Sequence, residues 1–187
     1  MKDINELIAR LKIEITQATP ETQEAAFWKV IEGVESFYKE NFFLEDYEVA
    51  IFLTNDEKTV MSFACPKYLV NSGMIPVSST EALTSTIYRT GRGIIDNNLP
   101  QQKHLSIFEI IRTPEGHIKP IWKMIAALMT VEDDKIGVIE ISRRGAKSED
   151  VGEDFSESDL LFLQKTIKIL APYIKKVMPK NFRGKVT

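Results

Sequence analysis

Few side chains in this sequence could do chemistry. It has one cysteine, Cys65, and two histidines, His104 and His117. One thiol cannot form an internal disulfide, and these three residues are too few for the four ligands of a structural zinc site. Lys67 is the one basic residue close to Cys65 in sequence, so no strong lowering of the thiol pKa is predicted. The sequence therefore predicts an inert thiol at the end of a strand rather than a redox sensor.

Motifs of known enzyme chemistry are absent from the sequence. It contains neither the Gly-x-Ser-x-Gly turn that carries a serine nucleophile nor the glycine-rich loop that binds nucleotide phosphates. We therefore expect no hydrolase, transferase or reductase activity, and no metal site.

Composition is that of an ordinary globular protein and excludes several classes. The 187 residues are 43% hydrophobic and 27% charged, with a net charge of −3. This charge provides no basic field for a nucleic acid. No apolar run approaches the roughly 18 residues that span a membrane, and acidic residues come too early for a signal peptide. We expect a cytoplasmic protein with no nucleic-acid or membrane partner.

The strongest signal of secondary structure lies in residues 134–144. Apolar residues occur on both sides of its alternation, which is typical of a central strand covered on both faces. Close behind, Ser156 is placed to cap a helix, with Asp159 as its acidic partner and Phe155 stapling onto Leu160. The pattern predicts a buried strand, a polar loop and a long last helix.

Two more helices are predicted at the start of the chain. Asp3 caps the first, with Glu6 as its capping-box partner. Thr19 and Pro20 end this helix and begin the second, which runs to about Glu40. The apolar stripe of the first helix consists of Ile4, Leu7, Ile8, Leu11 and Ile15. The buried side of the second consists of Ala26, Phe27, Val30, Ile31, Val34, Phe37 and Tyr38.

The middle of the sequence combines strands with short helices. Residues 49–53 and 59–64 are predicted to pair as a hairpin, and a short strand is predicted over 93–96. Between them a helix opens at Ser78 and ends at Gly91. Later, residues 105–112 favour two helical turns, and 118–131 favour a long strand with Pro120 near its start. The chain divides into a first amphipathic helix (1–19), a central domain (20–178) and a basic tail (179–187).

The order of these elements resembles the GAF domain family over roughly residues 24–178. In that family an Arg-Thr-Gly segment, here Arg89-Thr90-Gly91, precedes a short strand ending in Asp, here Asp96. The central strand, long polar loop and capped last helix match the end of the domain. The resemblance implies an α+β fold with an antiparallel sheet of about six strands. It places the terminal helices on one face and a ligand pocket, formed by the 79–112 region, on the other.

The resemblance also implies where a ligand would bind. Short helices would roof the pocket, and strand residues would form its floor, with Arg112 as the partner of an anionic ligand. The candidate lining residues are Ser62, Thr84, Tyr88, His104, Phe108, Arg112, Trp122 and Met124. Apolar walls with a few polar groups suit a small organic molecule, which the sequence does not identify.

Several functions are compatible with this resemblance. The first is a non-catalytic sensor of a small molecule that acts through a partner protein; the second is a structural dimerisation module without a ligand. Cyclic nucleotide binding is a third, but Arg143-Arg144 replaces the Asn-Lys pair of the nucleotide-binding members, and Leu160 replaces an acid. Some relatives attach a bilin through a cysteine or bind haem through a histidine; no cofactor is identified here. Related methionine sulfoxide reductases use several cysteines, and this chain has one.

The apolar stripes of the terminal helices predict a homodimer. One face of a sheet can cover only part of so wide an apolar surface, and monomers rarely expose large apolar patches. Pairing of the first, second and last helices about a two-fold axis would bury the remainder. The alternative is that the first helix folds back over its own domain.

Overall fold

The computed structural model describes residues 3–99 and 119–184, which form four helices and a six-stranded sheet. The helices are α1 (Ile4–Gln17), α2 (Gln23–Phe42), α3 (Leu83–Thr90) and α4 (Glu157–Val177). The strands are β1 (Val49–Thr54), β2 (Val60–Cys65), β3 (Met74–Pro76), β4 (Ile94–Asp96), β5 (Ile121–Val131) and β6 (Asp134–Arg144). The strand order is β3-β2-β1-β6-β5-β4, and every pairing is antiparallel. This arrangement confirms the predicted α+β architecture.

The central position predicted for β6 is confirmed, because it pairs with β1 on one side and β5 on the other. Its side chains alternate between two apolar cores, as in a strand covered on both faces. Ile139 and Ile141 face one core, and Val138 faces the other. Gly137 is required here, because a Cβ at this position would overlap the carbonyl oxygen of Phe52 on β1.

Helices α1, α2 and α4 cover one face of the sheet, which we call the helix face. The buried side predicted for α2 is confirmed throughout. Leu7, Leu11 and Ile15 of α1 are buried in the same core, so α1 folds back over its own domain. Phe182, beyond the end of α4, is also buried there, with its ring centroid 5.4 Å from that of Phe27.

Helix starts were predicted with mixed success. At α4 the capping box of Ser156 and Asp159 is present, as predicted. At α1 Asp3 is the N-cap, but its side chain accepts from the amide of Asn5. The prediction for α2 was wrong by three residues. The carbonyl of Thr19 accepts a hydrogen bond from the amide of Thr22 and closes a turn. Thr22, not Thr19, is the N-cap of α2.

Helix α3 lies across the other face of the sheet, which we call the α3 face. It begins at Leu83 rather than near Ser78, and it ends at Gly91 as predicted, with a left-handed φ of 72°. Ile87 and Tyr88 pack there against strand residues that include Phe52 and Val138. Across the described ranges, no helix has the length and apolar character needed to cross a membrane.

Candidate functional site

The α3 face contains a buried carboxylate in an otherwise apolar surface. Glu140 lies two residues beyond Val138 on β6 and is 6% exposed. The hydroxyl of Thr84, in the first turn of α3, donates to its Oε1 at 2.6 Å. Burial raises the pKa of Glu140 to about 7, although the Thr84 hydrogen bond and the positive charge of Arg144 lower it in part. Near neutral pH this carboxyl group can therefore exchange its proton or meet a cationic or hydrogen-bond-donating group.

Arg144 lies four residues further along β6, at the end of the strand. Its backbone amide donates to Oε1 of Glu48 at 2.6 Å, which fixes the strand end to the segment before β1. One terminal nitrogen of its guanidinium donates to the carbonyl of Lys119 at 3.4 Å. Its Nε is buried and has no hydrogen-bond partner, and burial lowers the pKa of the group. A buried donor without a partner is uncommon and needs an explanation.

Glu140 and Arg144 line the same small cavity. Its volume, about 20 Å³, is enough for about one water molecule. The residues around it are Tyr47, Ala50, Phe52, Phe63, Pro66, Leu69, Ile121, Glu140, Ser142 and Arg144. Over residues 3–99 and 119–184, Glu140 and Arg144 form no direct ion pair. Both charges therefore face the cavity, each with capacity for a further polar contact.

The strands hold these two charges on one face. Glu140, Ser142 and Arg144 alternate along β6 with Ile141 and Arg143, which belong to the opposite face. Ser142 is fixed in turn because its amide and its hydroxyl both donate to the carbonyl of Glu48, at 2.8 and 3.2 Å. The backbone of β6 therefore sets the spacing of the site.

The C-terminal end of α3 is tied to the first residues of β6. The ammonium group of Lys135 donates to the carbonyls of Tyr88 and Arg89, at 2.9 and 2.8 Å. In return, the phenol of Tyr88 donates to the carbonyl of Lys135 at 3.1 Å. A cation at the C-terminal carbonyls of a helix is favourable, because the helix dipole is negative there. Helix α3, and with it Thr84, is thus held over the sheet at both ends.

Some of the residues predicted to line the pocket lie together on the α3 face. Thr84, Tyr88 and Met124 are all there. Trp122 lies at an irregularity in the β5–β6 register, where its indole Nε1 donates to the carbonyl of Gly145 at 3.0 Å. The remaining predicted residues of the roof, His104, Phe108 and Arg112, fall outside the described residues.

Ser62 has to be corrected, because it does not lie with the others. Ser62 pairs with Leu53, whose side chain lies on the helix face, so Ser62 also lies on that face. Its neighbours Met61 and Phe63 point to the α3 face. In a strand the side-chain period is two, so an assignment that is off by one residue places a side chain on the wrong face. Ser62 lies near Gly184 of the C-terminal segment instead.

The sequence reasoning missed Glu140 and Arg144 as site residues. A signal for Glu140 was present, since a charged residue stood inside a strand predicted to be covered on both faces. Such a residue is either paired or functional. Arg144 carried a weaker signal: it stands in place of part of the Asn-Lys pair of the nucleotide-binding members, but a charged residue at a strand end is ordinarily a surface residue.

Cys65 lies on the helix face, away from this site. It is 1% exposed, and its Sγ donates to the carbonyl of Val49 at 3.4 Å. Burial raises the pKa of the thiol well above its usual range, and the nearby carboxylate of Glu35 adds to the effect. This side chain is therefore in its thiol form and out of reach of a solute near neutral pH.

Comparison with solved structures identifies the fold. No protein-family model and no curated protein matches the sequence. The solved structure of the GAF domain of a phosphoenolpyruvate-protein phosphotransferase from Coxiella burnetii is 14% identical. The match covers 92% of each chain with a TM-score of 0.59. Residues 122 to 287 of a methyl-accepting chemotaxis protein are 13% identical, over 92% of this chain and 94% of that one, with a TM-score of 0.59.

A third neighbour is an enzyme. It is the free methionine-R-sulfoxide reductase of Neisseria meningitidis in complex with its substrate, 15% identical over 95% of this chain and 93% of that one, with a TM-score of 0.56. Identities this low show a shared fold and do not carry over an activity. The sheet order, the helices on one face and α3 on the other agree with the architecture predicted from the sequence. The chain has the fold of a GAF domain.

Proposed function

We propose that this chain is a non-catalytic regulatory domain that binds a small molecule on the α3 face, at Glu140 and Arg144. The observation that carries the proposal is the cavity lined by both the buried Glu140 and the half-buried Arg144, whose Nε is buried. Burying a charge costs free energy unless it is paired, and no ion pair between them offsets that cost in the described part of the chain. Charges kept in such a setting are typical of binding and catalytic sites.

The site favours a ligand with two kinds of polar group. Glu140 accepts hydrogen bonds from an amine or N–H group, and the free Nε of Arg144 donates to a carboxylate or phosphate oxygen. Phe52, Phe63 and Ile121 supply the apolar contacts. A small polar or zwitterionic metabolite with an apolar part meets these requirements, and its entry requires the residues around the cavity, which now holds about one water molecule, to move apart.

The fold neighbours support a regulatory reading. By their names, one is the GAF domain of a phosphotransferase and another is part of a chemotaxis protein. By analogy, this chain transmits the presence of its ligand to a partner protein, and its terminal helices are the elements that do so. A cytoplasmic location fits this role.

Catalysis is not part of the proposal, although one fold neighbour is a methionine-R-sulfoxide reductase. A reductase of that kind needs a thiolate that the substrate can reach. Cys65 is the one cysteine of the sequence, and it lies buried on the helix face with a raised thiol pKa. Turnover of free methionine sulfoxide with a thiol reductant, abolished by Cys65→Ser, would overturn this part of the proposal.

Cyclic nucleotide binding is less well supported by the geometry. Arg143, in place of a residue typical of nucleotide-binding members, points to the helix face, with its guanidinium carbon 4.8 Å from the ring centre of Phe155. Asp159 belongs to the capping box of α4. Phe155 and Asp159, which match a Phe and an acid of the nucleotide-binding members, thus each have a structural role.

The second candidate function is a structural module without a ligand. The observation that favours it is the size of the cavity, which holds about one water molecule. In that case the Nε of Arg144 would bind an ordered water. The two candidates differ in whether any solute stabilises the protein.

A homodimer remains a proposal, although the terminal helices expose fewer apolar side chains than the sequence suggested. Three residues of the α1 stripe, Leu7, Leu11 and Ile15, are buried within their own protomer, and Ile4 and Ile8 are partly buried against the same core, so the stripe does not need a partner. Ile13 of α1 and Leu161 and Ile169 of α4 are the large apolar side chains of these helices that stay exposed. Sedimentation equilibrium of the full chain, with Leu161→Gln/Ile169→Gln as the comparison, tests it. A full-length monomer at tens of micromolar would refute the dimer.

The test of the proposed function is a thermal-shift screen with free amino acids, small carboxylates and cyclic nucleotides. A ligand at about 100 times its Kd adds about 2.7 kcal/mol of stability. Affinities of the hits are then measured calorimetrically for Glu140→Gln and Arg144→Gln, with the exposed Glu149→Gln and Arg92→Gln as matched controls. We expect at least a tenfold loss in the site variants and none in the controls. Ligands whose affinity is unchanged by both Glu140→Gln and Arg144→Gln would show that the binding site is elsewhere.

A further inference from the structure

We propose that the first two residues of β6, Asp134 and Lys135, which directly follow the β5–β6 connection (hereafter the turn), mechanically link the ligand site to the last helix. This inference rests on the proposed function, because it assigns the route by which a ligand at Glu140 would affect α4. Lys135 and Asp134 are adjacent in sequence, and each binds a different helix.

The first half of the link joins the site to the turn. Thr84 and Tyr88 are four residues apart on α3, so they lie on the same side of the helix, one turn apart. Thr84 binds the carboxylate of Glu140, and Tyr88 binds the carbonyl of Lys135. The Lys135 ammonium returns to the last carbonyls of α3 and lies 5.7 Å from the centre of the Tyr88 ring. A movement of Thr84 with the ligand therefore shifts the contacts of Lys135.

The second half joins the turn to α4. The carboxylate of Asp134 binds the ammonium groups of Lys58, at 2.7 Å, and of Lys175, in the last turn of α4, at 3.0 Å. Burial alone would raise the pKa of Asp134, but the two ammonium groups together lower it, so the carboxylate is charged near neutral pH. The positions of Asp134 and Lys175 are thus set by the same ion pair.

Lys58 makes the two halves move together. Its ammonium group contacts both parts of the turn, the Asp134 carboxylate and, at 2.9 Å, the carbonyl of Lys135. That carbonyl also accepts the Tyr88 hydroxyl, so α3 and Lys58 share one acceptor. The turn cannot shift under α3 without changing the environment of the carboxylate that binds α4. Contiguity alone does not prove coupling, so the proposal needs a measurement of coupling.

The experiment perturbs the site and measures α4 in the full chain without any ligand. Thr84→Val removes the hydroxyl that binds Glu140 and keeps the shape of the side chain. Amide hydrogen exchange, followed by mass spectrometry, reports local opening in residues 83–90 and 170–177. We expect Thr84→Val to speed exchange about threefold or more in both segments, the size of change that a coupling between neighbours produces.

The link is then broken at one residue at a time. In a background of Lys135→Met or Lys175→Met, Thr84→Val should still affect 83–90 but leave 170–177 unchanged within error. Tyr88→Phe, which removes one hydroxyl, serves in place of Lys135→Met if that variant does not fold. Lys176→Met, an exposed neighbour on α4, is the matched control and should preserve the response.

Two results would overturn the proposal. One is an α4 that does not respond to Thr84→Val in the natural background. The other is a response that persists when Lys135 or Lys175 is replaced. Neither depends on a ligand, so failure of the link is distinguished from failure of the ligand screen.

Discussion

Glu140 should make the stability of this protein depend on pH in a way that one substitution removes. Its pKa is raised from 4.5 to about 7 in the folded state, chiefly by burial. Between these values the folded chain keeps a proton on Glu140 that the unfolded chain has lost. The contribution of the protonated Glu140 side chain to the free energy of unfolding is therefore fully present below about pH 4.5. It is lost as the pH rises through 7.

The magnitude follows from the size of this shift. Each pKa unit corresponds to about 1.4 kcal/mol, so a shift of this size destabilises the ionised protein by about 3 kcal/mol. Glu140→Gln removes the titration and keeps an oxygen that accepts from the Thr84 hydroxyl. The variant should therefore match the natural protein near pH 4.5 and exceed it by about 2 to 3 kcal/mol at pH 8.

The assay is urea unfolding, followed by circular dichroism at pH 5, 6, 7 and 8, of both proteins. Other groups with raised pKa values, such as Glu35 and Glu48, titrate in both proteins and cancel in the difference. Glu149→Gln, at an exposed carboxylate, is the control for the loss of one negative charge. A difference for Glu140→Gln that is constant with pH would refute the reasoning, because Glu140 would then titrate normally in the folded state.

Three further substitutions test the fold, with the free energy of unfolding from urea titration as the readout. Ser156→Ala removes the N-cap of α4 and should cost about 1 kcal/mol. Phe43→Gly should stabilise by about 1 kcal/mol, because Phe43 is 88% exposed in a left-handed conformation (φ 55°). Phe43→Ala keeps the strained backbone and is its control. Gly137→Ala should cost at least about 3 kcal/mol, since its Cβ would meet the Phe52 carbonyl oxygen; an unchanged protein would contradict the close approach of β1 and β6.

The elements with the strongest local signals were predictable from the sequence. The central strand β6 was predicted from its alternation, and the start of α4 from its capping box, because both depend on neighbours in sequence. The strand begins at Asp134, at residues expected to form a turn. The start of α2 was wrong, although Thr19 and Pro20 form a good start signal. The three residues that precede α2 form a turn instead, in which Thr22 takes the capping position.

The site was less predictable because it depends on register. Ser62 was assigned to the wrong face, since the pairing of β2 with β1 decides which face each residue points to, and that pairing is not written in the local sequence. The contact of Thr84 with Glu140 joins residues 56 apart. Thr84 was chosen because of the family resemblance, and its partner could be found only in the structure.

The α3 face contains a buried carboxylate, Glu140, that no cation among the described residues pairs directly, and this feature argues for it as the functional face. An arginine Nε without a partner occurs on both faces, at Arg143 and at Arg144. Near the helix face, the buried ammonium of Lys123 is fully accommodated by the Asp154 carboxylate and the Gly152 carbonyl, both at 2.7 Å. On the α3 face, Glu140 has one neutral hydrogen bond, and the Nε of Arg144 has none. Selection for stability alone favours paired or apolar residues at such positions. Local conflicts of this kind are expected where a protein gives up stability for function, so the unpaired carboxylate of Glu140 marks where a ligand belongs.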